Sequence, residues 1–480
     1  MKSGQQPAEK GKKMKIGYCT ERLHHALHPL FLTISPGAEW EVGPDREDMD
    51  WYFQMQLDGY EVRNPGGQEK LPLDMYALKR YCYDYYRDGG LFLPWGIISG
   101  IRPTKLSRQI YEQVEAMTFE DFRDKIWKLD RVSPEKADLL WQVLQTENEY
   151  LSRINADQPS AESDMHLYVG IPFCPSRCYY CSFSAGIAHE NDVRLKDYVT
   201  LLQTELEDLK PIWQKRRIRS LYIGGGTPTI LNETLLIRLL DKIAAVINLD
   251  ELEEFTVEAG RPDTISPTKL NVLKDYQVNR ISINPQTFSD QTLARIGRGH
   301  TVDDVLRAYE WAGARDFLIN MDLIFGLPGE GLAEVEKSFR YMEKLRPDNI
   351  TVHTLTPKRG ADLSQEQKAG IWQASHQIGE MLNRWQAYMN SGGWRPYYLY
   401  RQKNIYFENV GYALPGREGI YNMETMLEKR SILALGAGSI SKKVEKNKIS
   451  RYDMPKQMEA YRRAVTSTGQ KKLNFFIEKC

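Results

Sequence analysis

The alternation of apolar and polar positions changes character twice along the 480-residue chain. Residues 1–13 (MKSGQQPAEKGKK) are polar and rich in Lys, Gln and Gly, which predicts a mobile tail. From about residue 14 to 155 the chain reads as a folded region rich in Trp and Tyr (WYFQMQLDGYEV, YALKRYCYDYY), without a chemical signature. Its later part predicts helices over 104–117, 118–129 and 133–154. The last opens Ser133-Pro134-Glu135, an N-cap followed by proline at the first helical position. The polar stretch 155–164 (NADQPSAESD) predicts a linker.

Beyond it, short apolar β-branched runs alternate with amphipathic helical segments. Strands are predicted at 166–171, 220–225, 254–259, 280–285, 318–325 and 349–355, and helices at 198–213, 232–247, 266–276, 301–313 and 332–345. Six β-α units in series predict a parallel sheet with helices outside, as a barrel or an open doubly wound sheet; in both, ligands collect at the carboxyl ends of the strands. After about residue 360 a helix over 364–393 leads into an aromatic segment (394–412), a small-residue stretch ILALGAGSISK (432–442) and a basic-aromatic end. The expected organisation is therefore a tail (1–13), an N-terminal α+β accessory domain (14–155), a barrel (163–400) and a C-terminal region that covers the substrate (401–480).

Length supports this division, since single cores stop growing at roughly 250–300 residues. Lys+Arg and Asp+Glu both number 64, so no net field draws the chain to nucleic acid or anionic lipid, and cations for an anionic ligand must be local. No apolar run approaches the roughly 18 residues of a spanning helix, and the N-terminus lacks a signal-peptide stretch, so no membrane span and a cytoplasmic location are expected.

Six cysteines are too few for a disulfide scaffold, but Cys174, Cys178 and Cys181 have the spacing C-x3-C-x2-C directly after the first predicted barrel strand. Three thiolates on one tight loop can each bind one iron of a [4Fe–4S] cubane, leaving the fourth iron open to a chelating ligand. Zinc is the alternative, although a structural zinc site takes four ligands in paired spacing and no fourth Cys or His accompanies the loop. Cys19, Cys82 and Cys480 read as isolated thiols.

The segment YVGIPFCPSRCYYCSF (168–183) resembles the cluster loop of radical S-adenosylmethionine (SAM) enzymes, and its Ile-Pro-Phe-Cys opening resembles the oxygen-independent coproporphyrinogen III oxidase branch. The resemblance spans about residues 165–445, and PWGIISGIRPTKL (94–106) is similar to the longer HemZ type. It implies a radical SAM partial (β/α)6 barrel, a [4Fe–4S] cluster held by Cys174, Cys178 and Cys181, and one or two SAM molecules. SAM contacts implied by position are Gly224, Gly225, Gly226 and Thr227 in GGGTPT, Glu258 in TVEAG, Gln286 and Arg298 in INPQTFSDQTLARIGRGH, Asp322 in NMDLIFGLPGE, the flanking Tyr168 and Tyr180, and, further along, Thr356 and Ile440.

The implied activity is oxidative decarboxylation of coproporphyrinogen III propionates to vinyls, giving protoporphyrinogen IX in haem biosynthesis. A reduced flavodoxin- or ferredoxin-type protein would donate electrons. The anionic substrate calls for bidentate cations, and Arg359, Arg395, Arg401 and Arg417 are the candidates. Two departures matter. The oxidase proper has His at the position of Gly170 and a further Cys where this chain has Ser182 and Phe183. The Cys-Ser-Phe ending is closer to the haem-chaperone branch, but that branch usually keeps the His, so Gly170 with the long N-terminal region favours the HemZ type; a haem-binding protein without decarboxylase activity and a radical SAM enzyme acting on another tetrapyrrole stand as alternatives.

Overall fold

Ile16, Tyr18, Trp51, Phe53, Tyr60 and Val62 occupy alternate positions of paired strands and give one sheet face its apolar core. The computed structural model describes residues 14–477 apart from 36–37, 46, 91, 101, 157–163, 182–185, 357–374, 403–406 and 446–447. The expected tail and most of the expected linker lie outside the described residues. The chain forms two compact units, residues 1–145 with Leu399–Glu408, and Thr146–Tyr398 with Asn409–Cys480.

In the first unit, strands β1 (Lys15–Tyr18), β2 (Glu39–Val42), β3 (Trp51–Met55), β4 (Gly59–Asn64) and β5 (Gly67–Pro72) form a sheet in the order β2-β1-β3-β4-β5. β1 pairs parallel with β2 and β3, and the last two pairings are antiparallel. Helices Glu21–Ile34 and Met75–Asp88 cover it with Leu23, Leu27, Phe31, Leu78 and Cys82. Three further helices follow, Pro103–Tyr111, Phe119–Asp130 and Pro134–Ala156. Their starts follow from local chemistry: Thr118 Oγ1 accepts from Asp121 N–H and Ser133 Oγ from Lys136 N–H. Residues 399–408 join this unit because Glu408, fully buried, accepts hydrogen bonds from Trp95 Nε1 (2.8 Å) and Lys136 Nζ (2.5 Å).

The second unit contains β6 (Asp164–Ile171), the short β7 (Phe173–Cys174) and β8 (Gly186–Ile187), β9 (Arg217–Gly225), β10 (Glu254–Glu258), β11 (Arg280–Ser282), β12 (Leu318–Phe325) and β13 (Asn349–Thr354). β6, β9, β10, β11, β12 and β13 are neighbours in chain order and all parallel, with helices between them: the expected partial (β/α)6 arrangement. The sheet runs on through β14 (Arg395–Arg401), β15 (Glu408–Ala413), β16 (Ser431–Leu435), β17 (Ile440–Glu445) and β18 (Lys448–Asp453), in the order β14-β15-β13-β12-β11-β10-β9-β6-β16-β17-β18. Residue 400 therefore does not divide it. β16, every residue buried, pairs parallel with β6 from Ser431↔Met165 to Leu435↔Val169, so part of the expected covering region is sheet.

Register sorts the side chains of the parallel strands. Leu167, Val169, Leu221, Ile223, Phe255, Val257, Ile281, Met321 and Val352 share one face, which the helices cover. The opposite face carries His166, Tyr168, Ser220, Tyr222, Thr256, Glu258, Ser282, Asn320, Asp322 and Thr351. A parallel sheet with one polar face needs an internal partner for each buried polar group.

The C-terminal helix Met458–Ile477 is tied down by one such group. Glu205, on helix Val193–Asp208, accepts from Gly436 N–H (3.0 Å), Tyr461 Oη (2.8 Å) and Lys472 Nζ (2.7 Å), all buried. Glu205→Ala leaves a buried ammonium without its carboxylate and is expected to cost about 3–5 kcal/mol in denaturant unfolding; an effect under about 1 kcal/mol would show that this cluster does not hold the helix.

Candidate functional site

Cys174 ends β7, which pairs with β8 on the far side of the cysteine turn. Cys181 N–H closes the turn on Cys178 O at 3.0 Å. The loop rests on residues 296–298: Tyr179 N–H donates to Ile296 O and Ser176 Oγ to Gly297 O. Gly297 is left-handed (φ +73°), and a Cβ there would stand 3.3 Å from Arg177 O, so only glycine combines that turn with that approach. Arg261, held by Asp263, donates two hydrogen bonds to Ser176 Oγ at 3.1 Å.

All three side chains are reduced thiols outside any disulfide; Cys178 is buried and the other two half-buried. Thr227 Oγ1 lies 3.4 Å from Cys174 Sγ. Burial pushes the Cys174 thiol up, Cys181 and Cys178 push it the same way, and Thr227 and Arg261 oppose them, so the three sulfurs share one neighbourhood. The all-thiolate donor set on one turn fits an iron–sulfur cluster.

The glycine turn at the end of β9 packs directly on the cysteine segment. Gly226 N–H donates to Ile171 O and Thr227 N–H to Phe173 O, both at 2.8 Å, and a Cβ on Gly226 would stand 2.5 Å from Phe173 O. Gly225, with φ +110°, donates its N–H to Glu258 Oε2 at 2.9 Å. A Cβ on Gly224 would strike that carboxylate at 2.7–2.8 Å. The amides of 225, 226 and 227 are thus taken by protein oxygens. Here the glycines serve close packing and room for Glu258 rather than free donors for a ligand.

On the polar face, depth separates two sets of residues. His166, Ser220, Thr256, Asn320 and Thr351 are buried, whereas Tyr168, Tyr222, Glu258, Asn284, Asp322 and His353, nearer the strand ends, are half-buried. Residues 417–427 close the deeper half. Glu254 accepts from Ile420 and Tyr421 N–H (2.7 and 3.2 Å) at the start of helix Ile420–Leu427, and Asn349 and Arg280 donate to Arg417 O. Tyr421 stacks on Tyr222 (4.6 Å between rings), with Tyr168 beside both.

Burial pushes the Glu258 carboxyl up to about 7, while the bonds from Tyr222 Oη (2.7 Å) and Gly225 N–H oppose the shift. Asp322 goes the other way: burial raises it, but nearby His353 and the hydrogen bond from Asn320 (2.8 Å) outweigh burial and hold it below the usual carboxylate range. Gln286 takes a left-handed backbone (φ +65°) that exchanges hydrogen bonds with Asp322 O and Ile324 N–H, and its buried side-chain Oε1 has no partner. Arg298 donates to Gly260 O (2.8 Å) and Tyr180 Oη (3.2 Å), and its charge acts on Tyr180 beside Cys178.

The structure therefore gathers Tyr168, Tyr180, Gly224, Gly225, Gly226, Thr227, Glu258, Gln286, Arg298 and Asp322 around the cysteine turn and the strand ends. Thr356, buried just beyond β13, turns its hydroxyl back to Thr354 O. Ile440 lies outside the group, half exposed at the start of β17 opposite Asp453. The expected arginine set does not converge: Arg395 forks onto Glu149, Arg417 is exposed beside Asp348, and buried Arg401 belongs to the first unit, donating to Ile98 O. Arg359, Ser182 and Phe183 lie outside the described residues. Sequence reasoning passed over Tyr222, Asn284, His353 and Tyr421; only the period-two placement of Tyr222 and His353 on strands bearing other site residues signals them.

Residues 168–342 match the radical SAM superfamily. The chain is 35% identical over 396 residues to the oxygen-independent coproporphyrinogen-III oxidase-like protein HemZ of Bacillus subtilis, covering 80% of this chain and 77% of that protein. The chain belongs to this HemZ-type family of radical SAM proteins. It is also 38% identical over 190 residues to the heme chaperone HemW of Bacillus subtilis, across 39% of this chain and 49% of that one. Among solved structures, the coproporphyrinogen III oxidase HemN of Escherichia coli matches 66% of this chain and 73% of its own with a TM-score of 0.49 and 21% identity. Family membership implies a [4Fe–4S] cluster and SAM, and the cysteine turn fits the cluster. No helix among the described residues is long and apolar enough to cross a membrane.

Two outcomes are expected. Because the native Glu258 carboxyl binds its proton more tightly than the unfolded one, stability of the cofactor-free chain should fall, by order of 1–3 kcal/mol, as pH rises from about 4.5 to about 7, and level off above. Urea titrations of Glu258→Gln should lack that slope, and an unchanged slope would place its origin elsewhere. Gly226→Ala must displace Phe173, so the reconstituted variant should hold less than half the wild-type iron while keeping its circular dichroism; full iron would show that this close approach does not set the cysteine turn.

Proposed function

We propose that the chain is a radical SAM coproporphyrinogen dehydrogenase that converts propionates of coproporphyrinogen III to vinyls. The observation that carries this reading is the three-thiol turn set against a polar strand-end surface bearing Glu258 and Asp322. The alignment with the HemZ relative supports it, since it runs through 80% of this chain, against 39–57% for the heme chaperones of Bacillus subtilis and Lactococcus lactis.

In this reading Cys174, Cys178 and Cys181 would hold a [4Fe–4S] cluster beside the SAM site. When bound, the cluster and SAM would supply radical chemistry able to remove hydrogen from a propionate C–H bond, with CO2 lost and the remaining electron passed to an external acceptor. The chain's own residues position and shield. Glu258, Gln286 and Asp322 offer acceptors and a charge opposite to the cofactor's cationic groups. The unpartnered Gln286 Oε1 is a preformed acceptor. Arg298 offsets the charge of the Cys178 thiolate, and the Tyr168–Tyr222–Tyr421 stack closes the floor against water.

A second reading, haem binding and transfer without decarboxylation, draws on the 38% identity to the heme chaperone over 190 residues. Gly170, where the oxidase proper carries His, does not favour it; a Cβ there would meet Leu435 O and a Tyr168 ring carbon at 3.3 Å, so the point is closely packed.

Anaerobic incubation of the reconstituted protein with SAM, a reductant and coproporphyrinogen III separates the readings. The proposal expects 5′-deoxyadenosine, CO2 and a vinyl product. Stoichiometric haem binding without turnover would favour the chaperone, and SAM cleavage without decarboxylation would move the activity to another tetrapyrrole. Cys178→Ala should abolish the broad absorbance near about 400 nm of thiolate-bound iron; a full cluster in that variant would refute the ligand assignment.

A further inference from the structure

The first unit holds a cluster of metal-ligating side chains apart from the cysteine turn. Thr20 caps helix Glu21–Ile34 by accepting from Leu23 N–H, and Glu21 stands in the first turn. The sequence Glu21-Arg22-Leu23-His24-His25 then places one carboxylate at i−3 and i−4 from two adjacent imidazoles, the spacings at which helical side chains meet. Glu21 Oε2 lies 3.6 Å from His24 Nδ1 and 3.9 Å from His25 Nε2, and the three ligand atoms all fall within 4.8 Å of one another.

These separations are too long for hydrogen bonds and suit a shared ion. Zinc bonds to imidazole nitrogen and carboxylate oxygen measure about 2.0–2.2 Å, so two ligands of one ion can stand up to roughly 4.2 Å apart. His24 supplies a second, independent sign. Its residue is 8% exposed, and both ring nitrogens are buried without a hydrogen-bond partner. A buried imidazole in that state is costly unless something else satisfies it. Its ring is also fixed in place, stacked on Trp40 at 4.0 Å and edge-on to Tyr18 at 5.3 Å, so the ligand atom is held before any ion arrives. The side chains of Glu21 and His25 are 68% and 77% exposed, which leaves the remaining coordination positions to water and the ion free access.

We propose that Glu21, His24 and His25 form a solvent-facing site for a divalent first-row metal ion of the zinc class. Two imidazoles and one carboxylate are a borderline nitrogen and oxygen set, suited to Zn2+ and its first-row neighbours and poorly matched to iron–sulfur assembly, which wants thiolates. The assignment does not depend on the reaction proposed for the second unit.

The test uses the untagged full chain with its cluster reconstituted anaerobically, and, in parallel, the Cys174→Ala/Cys178→Ala/Cys181→Ala variant, which removes thiolates as competing ligands. Titration with Zn2+, read by calorimetry and metal analysis after gel filtration, should show one equivalent per chain in both proteins. Titration with Co2+ should give weak ligand-field bands without the strong near-ultraviolet sulfur-to-cobalt band. His25→Ala and Glu21→Gln, at exposed positions that leave the helix core untouched, should each weaken binding at least tenfold. Zinc that binds only when the cysteines are present, or that binds His25→Ala and Glu21→Gln as tightly as the parent, would overturn the proposal.

Discussion

The approach of Gly226 to the backbone of residues 171–173 is the constraint on which the rest of the site depends. Parallel pairing of β6 with β9 runs to Ile171↔Gly225, and one residue later the chains still touch through Gly226 N–H and Thr227 N–H. No side chain fits between them. That contact fixes where β7 begins and therefore where Cys174 stands, beside Thr227. The same turn places Gly225 N–H on Glu258, so the cysteine turn and the first acidic side chain of the strand ends are located by one backbone arrangement. From the other side, Gly297 and Arg261 support the loop at Arg177 and Ser176. A cluster ligand set is useful only if three sulfurs keep fixed separations, and backbone packing on two sides provides that more rigidly than side chains would.

The polar sheet face follows a different logic. In a parallel sheet covered by helices both faces are ordinarily apolar, yet register here places carboxylates, hydroxyls, amides and an imidazole on one face. Each such group, if buried, needs a partner. The deeper half obtains them from residues 417–427, where Glu254 takes the first amides of a helix and Arg280 and Asn349 hold the carbonyl before it. His166 Nδ1 pairs with Ser220 Oγ at 2.7 Å, while its Nε2 has no hydrogen-bond partner. The upper half has no comparable insert among the described residues; its groups pair with one another or, like Gln286 Oε1 and Asn284 Oδ1, stay without a partner. Both halves keep polar atoms without a partner, but those at the strand ends sit among half-buried side chains a ligand can reach, which is what makes the strand ends a binding surface.

Much of this was legible because it is local. Six apolar runs of strand length separated by capped helices mark the parallel strands to within a few residues, and Ser133, Asn232 and Thr301 announce helix starts by chemistry that acts over three residues. The cysteine spacing is likewise local. What escaped is what depends on distant pairing. β16 completes the sheet beside β6, more than 260 residues earlier, and its sequence Ser-Ile-Leu-Ala-Leu has no feature that names its partner. Residues 417–427 became a floor only because Glu254, Arg280 and Asn349 lie on three different strands. The arginines failed for the same reason: charge is visible in sequence, but the carboxylate already facing Arg395 is not. Attention to cysteine also hid Glu21, His24 and His25, whose spacing is as local as that of the thiols.

Glu258 joins these themes. Its carboxyl is raised chiefly because it is taken out of water, and Tyr222 and Gly225 recover only part of the lost solvation. At neutral pH such a group lies near the midpoint between acid and carboxylate, so its ionisation is decided by what arrives beside it. A cation or a dense set of donors draws it to the carboxylate and strengthens both existing hydrogen bonds. An anion instead favours its protonated form. Asp322, already held as a carboxylate by His353 and Asn320, adds negative potential at the same rim. The rim thus prefers a ligand with positive charge on the side facing β10 and β12, while the cysteine turn beside Arg261 and Arg298 accepts the negative charge of thiolates and cluster. A ligand bridging the two regions must itself be dipolar, a requirement set by burial of Glu258 at one end and by Arg261 and Arg298 at the other.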